Sequence, residues 1–340
     1  MTLGYTNVKV LKGGVTAWKE AGFPIREGKP VASLFDRILV PLDGSAASEA
    51  VLYQAERLLC GRKSEIVLFH AWGSDSLTFP AQGAAENYLR AIQNRLTAQG
   101  ARVVRCLIHQ GSATESILNA IETERVTLVA MSSHGRGTTP WTGVAGTVEG
   151  VLRGSRSPLF LARAFMPSSS GEPIPAQCVP SNIRRILVPL DGSSACEAVM
   201  PYAREMGLLL GALMVILHVS SDGDPAAPSD FSGQKIVGRP ASPPPGDKAT
   251  VADRIRYAVS VFSAAGLETM TLNLGGDPVS TILGFARPSA VDLVAMTTHG
   301  QTGLSKLLTG PVAETVVREA VLPTLLVSSE AAGPTQCSQD

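Results

Sequence analysis

Aromatic residues are scarce in this 340-residue chain, at 5%, and net charge is absent, with 29 Lys and Arg against 29 Asp and Glu. Without net charge there is no global field to gather phosphate backbone or anionic lipid, so neither nucleic acid nor a membrane surface is expected as a partner. Cysteine is sparse: Cys60, Cys106, Cys178, Cys196 and Cys337 are odd in number and form no C-x-x-C pair, which argues against a disulfide framework and for a reducing cytoplasm. The five histidines (His70, His109, His134, His218 and His299) show no metal-ligand spacing, so no structural metal is expected. Long apolar runs are missing too. Met206 to Val219 is 14 residues long and holds Gly207, Gly211 and His218, short of the roughly 20 residues a membrane-spanning helix needs. The opening MTLGYTNVKVLKGG lacks the apolar stretch of a secretory signal. What is present is 44% hydrophobic residues, mostly aliphatic, with 33 Gly and 23 Pro. That composition suits short packed elements joined by tight loops, and at roughly 150 residues per domain the length suits two domains.

The two domains declare themselves as a repeat. Arg37-Ile-Leu-Val-Pro-Leu-Asp-Gly-Ser45 recurs letter for letter as Arg185 to Ser193, and Glu49-Ala-Val51 recurs as Glu197-Ala-Val199. The offset of 148 residues still holds from His70 to His218, then becomes 165 from His134 to His299. The second copy therefore carries an insertion, placed at about 220–248, where Pro, Gly, Ser and Asp dominate and too little apolar surface exists to fold compactly.

Each copy parses alike. A β-branched apolar run (37–42; 185–190) leads through Asp-Gly-Ser to a helical pattern (46–59; 195–210). A buried strand (65–71; 213–219) is followed by a helix (85–99; 249–264) that ends near Gly100 or Gly266, both suited to a C-cap. A third strand (102–108; 268–273), a helix (114–123; 278–285), a fourth strand (127–131; 292–296), a Gly-rich loop, a helix and a last strand (159–161; 324–327) complete the unit. Alternating strands and helices predict an α/β fold: two tandem doubly wound, Rossmann-like domains, each with a five-stranded, mostly parallel sheet. The expected division is 35–165 for the first domain, a linker over 166–182, 183–329 for the second domain and a disordered tail over 330–340.

Open α/β sheets bind ligands at the carboxyl ends of their strands. Two loops at such ends carry chemistry. In Pro41-Leu-Asp-Gly-Ser45 and Pro189-Leu-Asp-Gly-Ser193 the carboxylate can accept hydrogen bonds from ribose or base groups. The plainer alternative is that Asp and Ser cap the next helix. The second loop, Met296-Thr-Thr-His-Gly300 through Gly310, can present backbone N–H groups to phosphate.

Together, Val-Pro-x-Asp-Gly-Ser and a later Met-x-x-His-Gly, nine residues, Gly and Val-Ala-Glu-x-Val resemble the universal stress protein family over 35–329. The resemblance implies an adenine nucleotide alpha hydrolase-like fold and adenine-nucleotide binding, with ATP the leading ligand and magnesium a candidate companion. It assigns Pro189, Asp191, Val219, Met296, Thr297, Gly300, Gly310 and Val312 to the nucleotide in the second copy. In the first copy it assigns Pro41, Asp43, Met131, Gly135, Gly146 and Thr147. Two residues depart from the family motif: Thr297 stands where a glycine belongs, and Pro311 stands where Ser or Thr should follow Gly310. Pro311 supplies neither hydroxyl nor N–H, which predicts a weakened phosphate site. In the first copy ten residues separate Gly135 from Gly146-Thr147, one more than the motif asks, with Pro140 and Trp141 in the loop.

Residues 1–30, with Val8-Lys-Val-Leu, Gly13-Gly14 and Trp18, resemble the C-terminal tail of a rhodanese domain. The catalytic cysteine loop of that sulfurtransferase is absent here, so sulfur transfer is not expected. No catalytic residue is assigned, since no nucleophile or carboxylate adjoins His134 or His299 in sequence; weak ATP hydrolysis stays open. The reading is a cytoplasmic nucleotide-binding module in stress response or signalling. Its two domains would pack as a pseudo-dimer through their final strands, with a further homodimer and an unidentified protein partner left open. Nucleotide would order the Gly-rich loop and so alter the surface offered to that partner. The alternative is a nucleotide-free scaffold acting through protein partners.

Overall fold

In the repeated segment Arg37-Ile-Leu-Val-Pro41, Ile38, Leu39 and Val40 are all fully buried. A strand this apolar on both faces belongs inside a parallel sheet covered on both sides. The computed structural model describes residues 33–60, 64–73, 82–135, 146–167, 173–175, 183–220, 249–287, 290–298 and 310–329. The chain divides into two units, Met1–Ser33 and Leu34–Asp340. The expected rhodanese-like segment (1–30), the tail (330–340) and the insertion beyond Ser220 lie outside the described residues.

The first half of the larger unit runs β1 (Arg37–Pro41), α1 (Ala50–Gln54), α2 (Glu56–Cys60), β2 (Glu65–Trp72), α3 (Gln82–Ala98), β3 (Val103–Gln110), α4 (Ala113–Thr123), β4 (Leu128–Ser132), α5 (Gly146–Gly154) and β5 (Leu159–Ala162). Two three-residue strands, β6 (Phe165–Pro167) and β7 (Pro173–Pro175), pair antiparallel within the stretch expected to be a plain linker. The second half runs β8 (Arg185–Pro189), α6 (Met200–Leu210), β9 (Leu213–Ser220), α7 (Val251–Ala264), β10 (Thr269–Gly275), α8 (Pro278–Phe285), β11 (Leu293–Thr297), α9 (Pro311–Glu319) and β12 (Thr324–Val327).

Each half has the strand order 3-2-1-4-5 with all neighbours parallel. The two five-stranded sheets meet through their last strands, where the sequence reading expected the halves to pack. β5 and β12 pair antiparallel, Leu159 opposite Leu326 and Leu161 opposite Thr324, to make one ten-stranded sheet ordered β10-β9-β8-β11-β12-β5-β4-β1-β2-β3. Alternate residues of each strand feed opposite faces: Ile38 and Ile186 join one core, Leu39 and Leu187 the other.

Helix ends depart from the expected bounds for local reasons. The run expected as one helix over 46–59 splits at Ala55, although the bonds Ala55 N–H to Val51 C=O and Leu59 N–H to Ala55 C=O carry the ladder across the break. In the second half, residues 195–199 form a 3₁₀ turn before α6. Pro201, in the first turn of α6, cannot donate to the Glu197 carbonyl, so the α pattern starts late. Gly100 and Gly266 take left-handed φ angles of 104° and 82° just past α3 and α7, as C-caps do.

Candidate functional site

In the order 3-2-1-4-5 the direction of winding reverses between the first and fourth strands, which opens a crevice at their carboxyl ends. Both halves have one. The first, about 150 Å³, lies beyond β1 and β4; the second, about 270 Å³, lies beyond β8 and β11.

The floor of each crevice is the turn after the opening strand. Gly44 and Gly192 adopt φ of 82° and 79°, so the chain can reverse there without a Cβ clash. Asp43 Oδ1 accepts from Ser45 N–H at 2.8 Å and from its hydroxyl at 2.6 Å, and Asp191 Oδ1 accepts from the equivalent groups of Ser193 at 2.9 and 2.7 Å. Ser45 Oγ in turn accepts from Ser48 N–H, and Ser193 Oγ from Cys196 N–H. The capping alternative does not hold, since the helical segments that follow have Glu49 and Ser194 at their N-caps with no side-chain cap bond; one carboxylate oxygen shapes the turn itself in each copy. His70 Nδ1 lies 2.7 Å from the Leu42 carbonyl and His218 Nδ1 2.9 Å from that of Leu190, pinning the turn from the neighbouring strand.

Behind the turn, Glu49 accepts from the Tyr88 hydroxyl and from Arg95, each at 3.1 Å, and Glu197 pairs with buried Arg254. Burial, aided by the Glu49 charge, pushes the Tyr88 hydroxyl well above its ordinary pKa.

Opposite the turn stands the end of the fourth strand. Gly135 presses so closely that an added Cβ would lie 2.5 Å from Asp43 Oδ2. His134 lines the first crevice with Nδ1 2.8 Å from Ser133 Oγ and its ring edge-on to Phe165 at 5.6 Å. These contacts orient the ring as a structural part of the loop. Ser132, also at the crevice, has no hydrogen-bond partner for its hydroxyl among the described residues.

The structure brings Pro41, Asp43, Met131, Gly135 and Thr147 to the first crevice, and Pro189, Asp191, Val219, Met296, Thr297, Gly310 and Val312 to the second. Gly300 lies outside the described residues. Gly146 is placed differently from the sequence reading. α5 starts at Gly146 and α9 at Pro311, and Glu149 and Arg153 match Glu314 and Arg318, all at the 165-residue offset that relates His134 to His299. The first loop is thus not one residue too long. Gly146 corresponds to Pro311, Thr147 to Val312, and Ala145 stands in sequence where Gly310 stands. Gly310 itself donates its N–H to the Thr298 carbonyl.

Sequence reasoning missed the apolar walls: Phe69, Ala113 and Ile117 in the first crevice, Leu217, Pro278 and Ile282 in the second. In sequence these are ordinary core letters; only the repeat offset of Ile117 and Ile282 hinted at a shared place. It also missed Cys196, which occupies the place of Ser48 and donates to the Ser193 carbonyl. Burial first, then the nearby Asp191 charge, pushes its thiol up to about 12, so it stays protonated and is a poor nucleophile. No cluster of three or more His, Cys, Asp or Glu suited to a metal occurs among the described residues, nor any helix long and apolar enough to cross a membrane.

A tandem Rossmann-like α/β protein with a switch-point crevice in each half is the class that this fold and geometry define. The family model for the "Universal stress protein family" matches residues 34–163 and 182–328, and the chain belongs to that family. It is 42% identical, over 148 residues, to universal stress protein MJ0531 of Methanocaldococcus jannaschii, an alignment covering 42% of this chain and 81% of the relative. Among solved structures, a universal stress protein from Archaeoglobus fulgidus superposes with a TM-score of 0.63 at 20% identity, covering 87% of this chain and 99% of that one. A putative universal stress protein from Pseudomonas aeruginosa gives 0.58 at 16% identity, covering 86% and 93%. At these identities the two structures speak for the fold.

Proposed function

We propose that the chain is an adenine-nucleotide-binding stress or signalling module, with ATP the leading ligand. Its two halves, joined through β5 and β12, act as an intramolecular pseudo-dimer that presents its state to a protein partner. The observation that carries this reading is that Asp43 and Asp191 recur at the same point of two switch-point crevices, each of which the first turn of α5 or α9 also lines. Asp43 and Asp191 would accept hydrogen bonds from ribose hydroxyls. Met131 and Ile117, or Met296 and Ile282, would sandwich the base, and the first turns of α5 and α9 would face the phosphates.

The first crevice fits a phosphate chain better than the second. Thr147 offers both N–H and hydroxyl near the start of α5, whereas Pro311 at the start of α9 has no N–H and Gly310 N–H is already engaged. That contrast favours a second reading for the second crevice, a site that takes a nucleoside moiety or serves only as scaffold. Magnesium, if it accompanies ATP, would be held mainly by the phosphates. No catalytic role is assigned: His134 is tied to Ser133 and Phe165, and the Cys196 thiol is protonated.

Calorimetric titration of ATP, ADP, AMP and cyclic AMP into wild-type, Asp43→Ala and Asp191→Ala chains tests the reading. Each substitution should remove binding at its own crevice and leave the other. Unchanged isotherms in both variants would overturn the assignment.

A further inference from the structure

The two halves meet along β5 and β12, and the buried Arg163 side chain crosses the seam. Arg163, just past β5, is 4% exposed. Its Nη1 donates to the Val317 carbonyl at 2.7 Å and its Nε to the Leu322 carbonyl at 3.0 Å. Nη2 reaches the Val316 carbonyl at 3.4 Å and Thr324 Oγ1 at 3.5 Å. Val316 and Val317 lie toward the C-terminal end of α9, where the helix dipole is negative; the Val316 carbonyl also accepts from Ala320 N–H at 2.9 Å. A guanidinium suits that place, and although burial draws its pKa down to about 10 it remains charged at neutral pH.

The backbone of Arg163 is held from the opposite side. Gln54, the last residue of α1, accepts from Arg163 N–H at 2.8 Å and donates to its carbonyl at 2.6 Å. The link has no repeat counterpart, because the corresponding positions are Tyr202 and Ser328. The sequence PLFLARA in one copy faces PTLLVSS in the other.

The far end of α9 carries Pro311, Val312 and Ala313, which wall the second crevice. A helix of nine residues is only about 13 Å long and moves as a body. We propose that Arg163, a residue of the first half, is a positioning residue for the second crevice: by seating the C-terminal end of α9 it sets where Pro311 and Val312 stand against the ligand. This rests on the reading that the second crevice takes an adenine compound. It adds that the crevice is incomplete without a side chain from the other repeat.

The test is titration with adenosine and ATP in two backgrounds. With Asp43→Ala silencing the first crevice, Arg163→Met should weaken binding at the second by about tenfold or more, with Arg163→Lys recovering part of the loss. With Asp191→Ala silencing the second crevice, the same substitutions should leave affinity at the first within about twofold. Equal losses in both backgrounds, or a lower melting temperature with both affinities unchanged, would mean that Arg163 only holds the halves together, and the proposal would fall. Should the Arg163 variants not fold, Gln54→Met keeps the side-chain length, releases the Arg163 backbone and should show the same selective loss. Hydrogen exchange of the ligand-free chain supplies an independent readout. Arg163→Lys should speed exchange at Glu314, whose N–H is bonded to the Gly310 carbonyl at the crevice end, as well as at Val316 to Glu319, and acceleration confined to the C-terminal end would also overturn it. If neither background takes up adenosine or ATP, the adenine reading fails, while the exchange experiment still decides whether Arg163 positions α9.

Discussion

Replacing Gly135 by Ala probes how tightly fold and site are pressed together. The backbone tolerates the change, because Gly135 is not among the residues with left-handed φ. The collision is with the site itself: the new Cβ would sit 2.5 Å from Asp43 Oδ2, and ordinary contact begins at 3.4 Å, so the two must part by about 0.9 Å. The other oxygen of that carboxylate holds the Ser45 N–H at 2.8 Å and hydroxyl at 2.6 Å. A shift of that size would lengthen both bonds to the edge of hydrogen bonding. Two bonds of about 1 kcal/mol net each set the loss of stability at about 2 kcal/mol, or a fall in melting temperature of about 3 °C for a chain of this size. Displacing a charged acceptor from a ligand should cost a further factor of about 10–100 in affinity at the first crevice, with the second crevice unaffected. Differential scanning calorimetry and ATP titration read the two effects separately. A variant with wild-type melting and wild-type affinity at the first crevice would refute both the rigidity of the turn and the role of Asp43.

Gly192→Ala meets a different obstacle, a φ of 79° together with a Cβ 2.6 Å from Val251 Cγ2, and should cost about 1–3 kcal/mol in urea unfolding with an unchanged m-value. Thr250→Ala removes the capping box in which Thr250 Oγ1 accepts from Asp253 N–H at 3.2 Å and Asp253 Oδ2 accepts from Thr250 N–H at 3.1 Å; about 1 kcal/mol should be lost, seen as a lower urea midpoint. Burial raises the pKa of Cys196, Tyr88, Tyr202 and Tyr257, so the folded chain holds these protons more tightly than the unfolded chain. The stability they contribute is complete below the ordinary thiol value of 9.0 and declines as pH rises through the folded values; equal urea midpoints at pH 7 and above pH 10 would contradict this. Asp253 and Asp277, held low mainly by hydrogen bonds from Thr250 and Ser280, work the other way: their contribution is present above the ordinary 3.8 and is lost as pH falls below it.

The repeated RILVPLDGS and the strand–helix alternation were enough to read the α/β architecture, because an apolar strand running into Asp-Gly-Ser is a local signal. Local letters also carried the helix ends at Gly100 and Gly266, where a glycine with positive φ is needed. The junction of the halves was a different matter. The expectation of pairing through the last strands says nothing of Arg163, whose partners at Val316, Val317 and Leu322 are more than 150 residues away and are all backbone carbonyls. The first Gly-rich loop was misaligned because Gly146-Thr147 matched the motif by letter. The helix register that corrects it lies in Glu149 and Arg153 against Glu314 and Arg318. Apolar wall residues such as Ile117 and Ile282 stayed hidden because a crevice wall and a core look alike in sequence.

The central claim, that the strand-end crevices take an adenine nucleotide, is tested most directly by native mass spectrometry of the intact chain titrated with ATP. The account predicts saturable nucleotide adducts, the first of which disappears in Asp43→Ala, where the crevice richer in phosphate donors is lost. A bare chain up to millimolar ATP, or an adduct pattern indifferent to both Asp43→Ala and Asp191→Ala, would contradict it.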